Sequence, residues 1–201
     1  MAIFKTTLVA CQQCGRKIMV RPADAERGTI VCSHVGCSAL NTLNKAYQYD
    51  PSLAVGLPAH GRLTYLNSPV PVMLPLLLGD NVIGTDASCQ IRLERYLHEG
   101  RCYISRRHCT LTVSLDKWLG TLRYQIRDGV VDPVEKAVKP SLNGTWLNGV
   151  LLHKTEQIDV ADGGIITLGG IDQLRVSHQL IDPVMRDTYR VELTYSADQT
   201  Q

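Results

Sequence analysis

The stretch Ser141-Leu142-Asn143-Gly144-Thr145-Trp146-Leu147-Asn148-Gly149 places an Asn-Gly dipeptide on each side of Thr145-Trp146-Leu147. Asn-Gly is the strongest short signal for a tight hairpin, because both residues tolerate the positive φ that such a turn demands. Between the two turns there is room for a short strand and nothing longer. The same rhythm continues outward in both directions. Short apolar or alternating stretches recur at 62–66, 71–78, 81–83, 90–93, 109–115, 121–127, 165–168 and 174–176, with turn residues between them. Gly79-Asp80-Asn81 reads as one of those turns, and 189–195 as one more strand ahead of a polar tail. No window of about a dozen residues shows helical periodicity closed by caps. Many short strands at this spacing build a sandwich or a barrel, so the predicted class is all-β.

The N-terminal segment follows a different logic. Seven cysteines is an odd number, which suits a closed disulfide framework poorly. Four of them, Cys11, Cys14, Cys32 and Cys37, are spaced C-x2-C-x17-C-x4-C. A short turn with a glycine beside it, Gly15 or Gly36, lets two thiolates converge, and two such turns complete a tetrahedron of sulfurs. That closed shell suits one structural Zn2+ rather than a catalytic one, which would keep an open position. Disulfide pairing and a chance cluster of free thiols are the competing readings, and His34 is a spare candidate ligand. Residues 1–44 hold only short apolar stretches, and a segment of about 40 residues usually needs a staple to fold. The arrangement resembles a zinc ribbon: strand, knuckle, strand, connection, strand, knuckle. Cys89, Cys102 and Cys109 have no paired spacing; Cys109 opens a strand and is expected to face the core, with the other two in loops.

Composition closes off other classes. The chain has 201 residues, 44% hydrophobic and 20% charged, which excludes general disorder. Lys+Arg 21 against Asp+Glu 19 leaves a formal +2, so no field spans the whole chain to attract a polyanion or a membrane surface. The longest apolar run, 70–78, is broken by Pro71 and Pro75 and falls short of the roughly 20 residues a spanning helix needs. The first residues lack the charged start and apolar core of a secretory signal, so a soluble, cytoplasmic protein is expected.

Four separated blocks now fall in one order: Leu78-Gly79-Asp80-Asn81-Val82-Ile83-Gly84-Thr85, Ile104-Ser105-Arg106-Arg107-His108, Ser141 to Gly149, and Asp162-Gly163-Gly164-Ile165-Ile166-Thr167-Leu168-Gly169. Together they resemble a forkhead-associated (FHA) domain over residues 61–178. The resemblance implies a two-sheet β-sandwich whose loops at one end bind a phosphothreonine peptide. It assigns Ser105 and Arg106 to the phosphate and Asn143 to the peptide backbone just beyond it. His108 becomes a loop brace, Gly144 permits a sharp turn, and Gly84 precedes the phosphate-gripping position. At that position the family has arginine and this sequence has Thr85, and Leu142 replaces a small hydroxyl residue. A charge-assisted hydrogen bond contributes roughly 1.5–3 kcal/mol, so its loss implies binding weaker by about tenfold to a hundredfold unless another cation substitutes.

The expected organisation is therefore a zinc-ribbon-like segment at 1–44, a linker at 45–60, the sandwich at 61–178, and a strand and tail at 179–201. The expected function is a non-enzymatic adaptor for a partner phosphorylated on threonine. The alternative is a nucleic-acid-associated protein using the ribbon. Residues 1–56 hold six basic and three acidic residues, a mild +3 without aromatics set among the basic ones. An enzyme is the remaining class, and no P-loop, H-E-x-x-H, G-x-S-x-G or dinucleotide fingerprint is present. Ser105 with His108 could be mistaken for a nucleophile and base, but the surrounding motif speaks for the loop roles instead.

Overall fold

The computed structural model describes residues 7–43, 47–68, 70–132, 134–154 and 156–192; the far end of the expected 189–195 strand and the tail lie outside the described residues. The chain forms two compact units. One draws its described residues from Met1–Leu53, Asp116–Thr121 and Asp182–Gln201, the other from Ala54–Leu115 and Leu122–Ile181.

In the smaller unit, strands Thr7–Ala10 and Lys17–Val20 pair antiparallel, with Val9 opposite Ile18. Alternation along the second strand buries Ile18 and Val20 and exposes Lys17 and Met19, the two-residue period of a half-buried strand. A second hairpin pairs Thr29–Val31 with Leu40–Thr42. The cluster around the cysteines buries Val9, Ile18, Val20 and Leu43 together with Cys11 and Cys32, with Ile30 and Ala39 partly buried against it. Four aliphatic side chains at roughly 1.5–3 kcal/mol each are a thin core to set against backbone entropy.

Two elements here differ from the sequence expectation. The connection between the hairpins contains a helix, Pro22–Arg27, entered through an Arg21 N–H that donates to the Asp24 carboxylate at 3.0 Å. Six residues are too few to display a 3.6-residue period, so local capping chemistry was its only signal. In addition, Tyr47–Tyr49, inside the expected linker, pairs antiparallel with Arg190–Glu192. The Tyr49 N–H donates to the Lys117 carbonyl at 2.6 Å. Lys17 meets Asp116 at 3.0 Å, so the turn after strand Cys109–Asp116 is part of this unit.

The larger unit is a β-sandwich. A six-stranded antiparallel sheet runs in the order Val150–Leu151, Thr145–Leu147, Ile165–Leu168, Asp172–Ser177, Arg62–Tyr65, Val72–Pro75. The other sheet has the order Ile158–Asp159, Thr121–Asp128, Cys109–Asp116, Gly79–Gly84, Ile91–Arg92, with the last pair parallel. Leu63, Tyr65, Ile166, Leu168, Leu174 and Val176 from the first sheet and Ile83, Leu111, Val113, Tyr124 and Ile126 from the second are all buried. Cys109 opens its strand fully buried, as expected, and Trp146 is half-buried.

Gly79-Asp80-Asn81 is not the turn its composition suggests. Gly79 begins a strand, and the chain bends one step earlier. The fully buried Asn81 amide satisfies that bend, accepting from Leu77 N–H at 2.8 Å and donating to the Leu77 and Leu111 carbonyls. Asn148 (φ 51°) and Gly149 (φ 82°) do form the expected tight turn, joining Thr145–Leu147 to Val150–Leu151. Among the described residues no helix is long and apolar enough to cross a membrane.

Candidate functional site

Two loops leave the sandwich side by side, residues 104–108 and 141–145, and His108 joins them. Its Nδ1 accepts the Ser105 N–H at 2.9 Å, and its Nε2–H donates to the Gly144 carbonyl at 2.9 Å. The partners fix one neutral tautomer. Burial is the main cause that lowers the imidazole pKa below 6.5, so the neutral ring is the stable form. The Ser105 Oγ accepts the Leu142 N–H at 3.1 Å, a second tie between the loops. That bond occupies a lone pair and leaves the hydroxyl proton available to a ligand.

The 141–145 loop is fixed from beneath by Asp128, a buried carboxylate that sequence reasoning did not single out. It accepts Ser141 N–H at 3.2 Å, Ser141 Oγ–H at 2.7 Å and Thr145 Oγ1–H at 2.6 Å. Ser141 Oγ in turn accepts the Gly144 N–H at 2.8 Å. Gly144 has φ +81°, and a Cβ there would lie 2.9 Å from Leu151, so the turn requires glycine. Asn143 spends one amide proton on the Tyr103 carbonyl at 2.9 Å, which orients its side chain and leaves Oδ1 and the second proton without a partner among the described residues.

Thr85 sits directly beside this pair of loops. Its N–H donates to the Ser105 carbonyl at 3.3 Å, and the Asp86 N–H to the Arg106 carbonyl at 2.9 Å. The approach is close because residue 84 is glycine: a Cβ there would stand 2.2 Å from the Arg106 carbonyl oxygen. The Arg106 side chain is exposed, and the carboxylate it influences is Asp86, held below the usual range first by hydrogen bonds from Ser88 and then by Arg106 and Arg107. The sequence-derived residues Thr85, Ser105, Arg106, His108, Asn143 and Gly144 thus meet at one end of the sandwich.

Residues 81–169 match the family model of the FHA domain. This segment is an FHA domain. Solved structures of similar fold include an FHA domain studied for phosphothreonine-dependent interactions, 21% identical, covering 60% of this chain and 99% of that one at a TM-score of 0.43. The Slr1951 protein from Synechocystis sp. is 23% identical, covering 60% of this chain and 99% of that one at 0.45. Mycobacterium tuberculosis EmbR, solved with a low affinity phosphopeptide, is 17% identical, covering 64% of this chain and 27% of that one at 0.43. No curated protein matches the chain.

Outside the FHA domain, the sulfurs of Cys11, Cys14, Cys32 and Cys37 lie within 4.8 Å of one another. Cys11 and Cys37 are 3.7 Å apart and Cys14 and Cys32 3.8 Å apart. A tetrahedron with metal–sulfur bonds of about 2.3 Å has edges of roughly 3.8 Å, so the four thiols fit a single metal ion. The Cys14 N–H, joined by that of Gln13, holds the Cys11 thiol down at about 6 against the opposing effect of burial. The His34 N–H favours a thiolate at Cys32 too, but burial and the adjacent thiols outweigh it and push that group up to about 12. His34 is not among the clustered residues; its Nε2 bonds the Lys17 carbonyl at 2.9 Å. Asn41, buried and unremarked in the sequence, ties the knuckles together by accepting the Gln12 N–H at 2.7 Å and donating to the Ala39 carbonyl at 2.9 Å.

Proposed function

We propose that this chain is a non-enzymatic adaptor whose FHA domain binds a phosphothreonine-containing segment of a partner protein at the 104–108 and 141–145 loops. The carrying observation is the double tie between those loops, through His108 and through Ser105 Oγ, which holds donors rigid before any ligand arrives. A phosphate dianion is held by charge-assisted donors whose positions need no rearrangement. The Ser105 hydroxyl proton and the Arg106 guanidinium serve the phosphate, and the free Asn143 amide atoms serve the peptide backbone beside it. Thr85 adds one neutral hydroxyl where an arginine would add a cation.

In the same proposal Cys11, Cys14, Cys32 and Cys37 hold one Zn2+, which supplies the smaller unit with the closed structural shell its thin core lacks. The adaptor acts in the cytoplasm, where thiols stay reduced. Amide NMR spectra test the binding site. A phosphothreonine peptide selected from an oriented library should shift the resonances of Thr85, Arg106, Leu142 and Asn143. Equal shifts from its unphosphorylated twin would contradict the reading.

A further inference from the structure

We propose that Arg92 and Arg95 supply the cation that the position after Gly84 lacks, so that the phosphate is held in an arginine-lined cavity beside Thr85. The inference rests on the phosphopeptide reading of the adjoining loops and says how that site works without its usual arginine. Thr85 lines a cavity of about 470 Å³ whose other walls are Arg92, Leu93, Glu94 and Arg95. Strand register brings this about. Gly79–Gly84 runs parallel to Ile91–Arg92 with Gly84 opposite Arg92, and the Leu93 N–H donates to the Gly84 carbonyl at 2.8 Å. Arg92 therefore starts one strand spacing, about 4.8 Å, from the residue preceding Thr85.

Both guanidiniums are uncommitted. Arg92 and Arg95 are exposed, and among the described residues neither has an ion-pair or hydrogen-bond partner, although Glu94 lies between them. Two arginines against one glutamate leave the cavity net positive. Asp86, next to Thr85 in the chain, accepts the Ser88 N–H at 2.9 Å and lies under the electrostatic influence of Arg106 and Arg107. The Thr85 N–H bond to the Ser105 carbonyl sets the cavity next to the Ser105–Arg106 loop. A phosphate there has guanidinium forks on two sides, the geometry for which arginine is best suited. Threonine at 85 is then the small residue that leaves the cavity open to it.

Fluorescence anisotropy of the full chain with a labelled phosphothreonine peptide from an oriented library, and with its unphosphorylated twin, tests this. The wild type should bind the phosphorylated peptide alone. Arg92→Gln with Arg95→Gln should loosen it by about tenfold or more, and Thr85→Arg placed in that double variant should recover most of the loss. Both arginines are exposed, so melting temperatures should match across the set. If the double variant binds as the wild type does while Arg106→Gln still loosens the peptide, the inference falls and the phosphopeptide reading stands. If the wild type binds both peptides equally, that reading falls and takes the inference with it.

Discussion

His108 shows how much one side chain decides at this site. Both ring nitrogens are committed, one accepting and one donating, and only the neutral imidazole can do both. Because burial lowers its folded-state pKa below 6.5, the unfolded chain binds a proton at higher pH than the folded one. The contribution is therefore fully present above pH 6.5 and is lost as pH falls beneath it. Thermal melts between pH 7 and pH 5 should show the FHA unit losing stability on acidification. His108→Gln should flatten that dependence and cost about 1–3 kcal/mol at pH 7 through broken loop ties. On the ligand side, calorimetry should find Arg106→Ala weakening phosphopeptide binding by roughly 1.5–3 kcal/mol, and Ser105→Ala by roughly 0.5–1.5 kcal/mol, since a neutral donor contributes less. The placement of Ser105, His108 and Asn143 on adjoining loops was legible because they fall in ordered motifs. Asp128 was not. It precedes the loop it fixes by more than a dozen residues, and a carboxylate at a strand end looks like any solvated one until the fold buries it beside Ser141 and Thr145.

At the scale of strands and loops, the chain's spacing was readable wherever turn chemistry was local. Asn148-Gly149 turns where its positive φ values require, and the stretches around it form the expected strands. The reading failed at Gly79-Asp80-Asn81, where composition says turn but the buried Asn81 amide serves as an internal partner for the preceding bend. It failed again at Pro22–Arg27, too short for periodicity to appear. The approach of strand Gly79–Gly84 to the 104–108 loop yields a sharp expectation. In Gly84→Ala the new methyl would meet the Arg106 carbonyl oxygen at 2.2 Å, so the strand or the loop must move. Denaturant melts should find a loss of about 1–3 kcal/mol, the usual cost of overpacking, together with weakened peptide binding. Asp128→Ala should act from the other side, leaving the buried Thr145 hydroxyl without its acceptor at a cost of about 1–3 kcal/mol.

For the whole molecule, two kinds of cohesion are joined in one chain. The FHA unit has a core wide enough to stand on apolar burial, whereas the smaller unit gathers its few aliphatic residues around sulfurs. The cysteine spacing announced that difference in the sequence, but the strand Tyr47–Tyr49 and its partner Arg190–Glu192 did not, because pairing across so long a separation leaves no local pattern. Native mass spectrometry should find one zinc ion per chain and none in the Cys11→Ser, Cys32→Ser double variant. Chelation should melt the smaller unit and leave the FHA unit folded. Function turns on whether the paired loops read a phosphate. The direct measurement is a calorimetric titration of the intact protein with one library-selected peptide, phosphorylated on threonine and then treated with phosphatase. Saturable binding of the phosphorylated form and its loss after phosphatase is the expected result; undiminished binding of the dephosphorylated peptide would contradict phosphothreonine recognition.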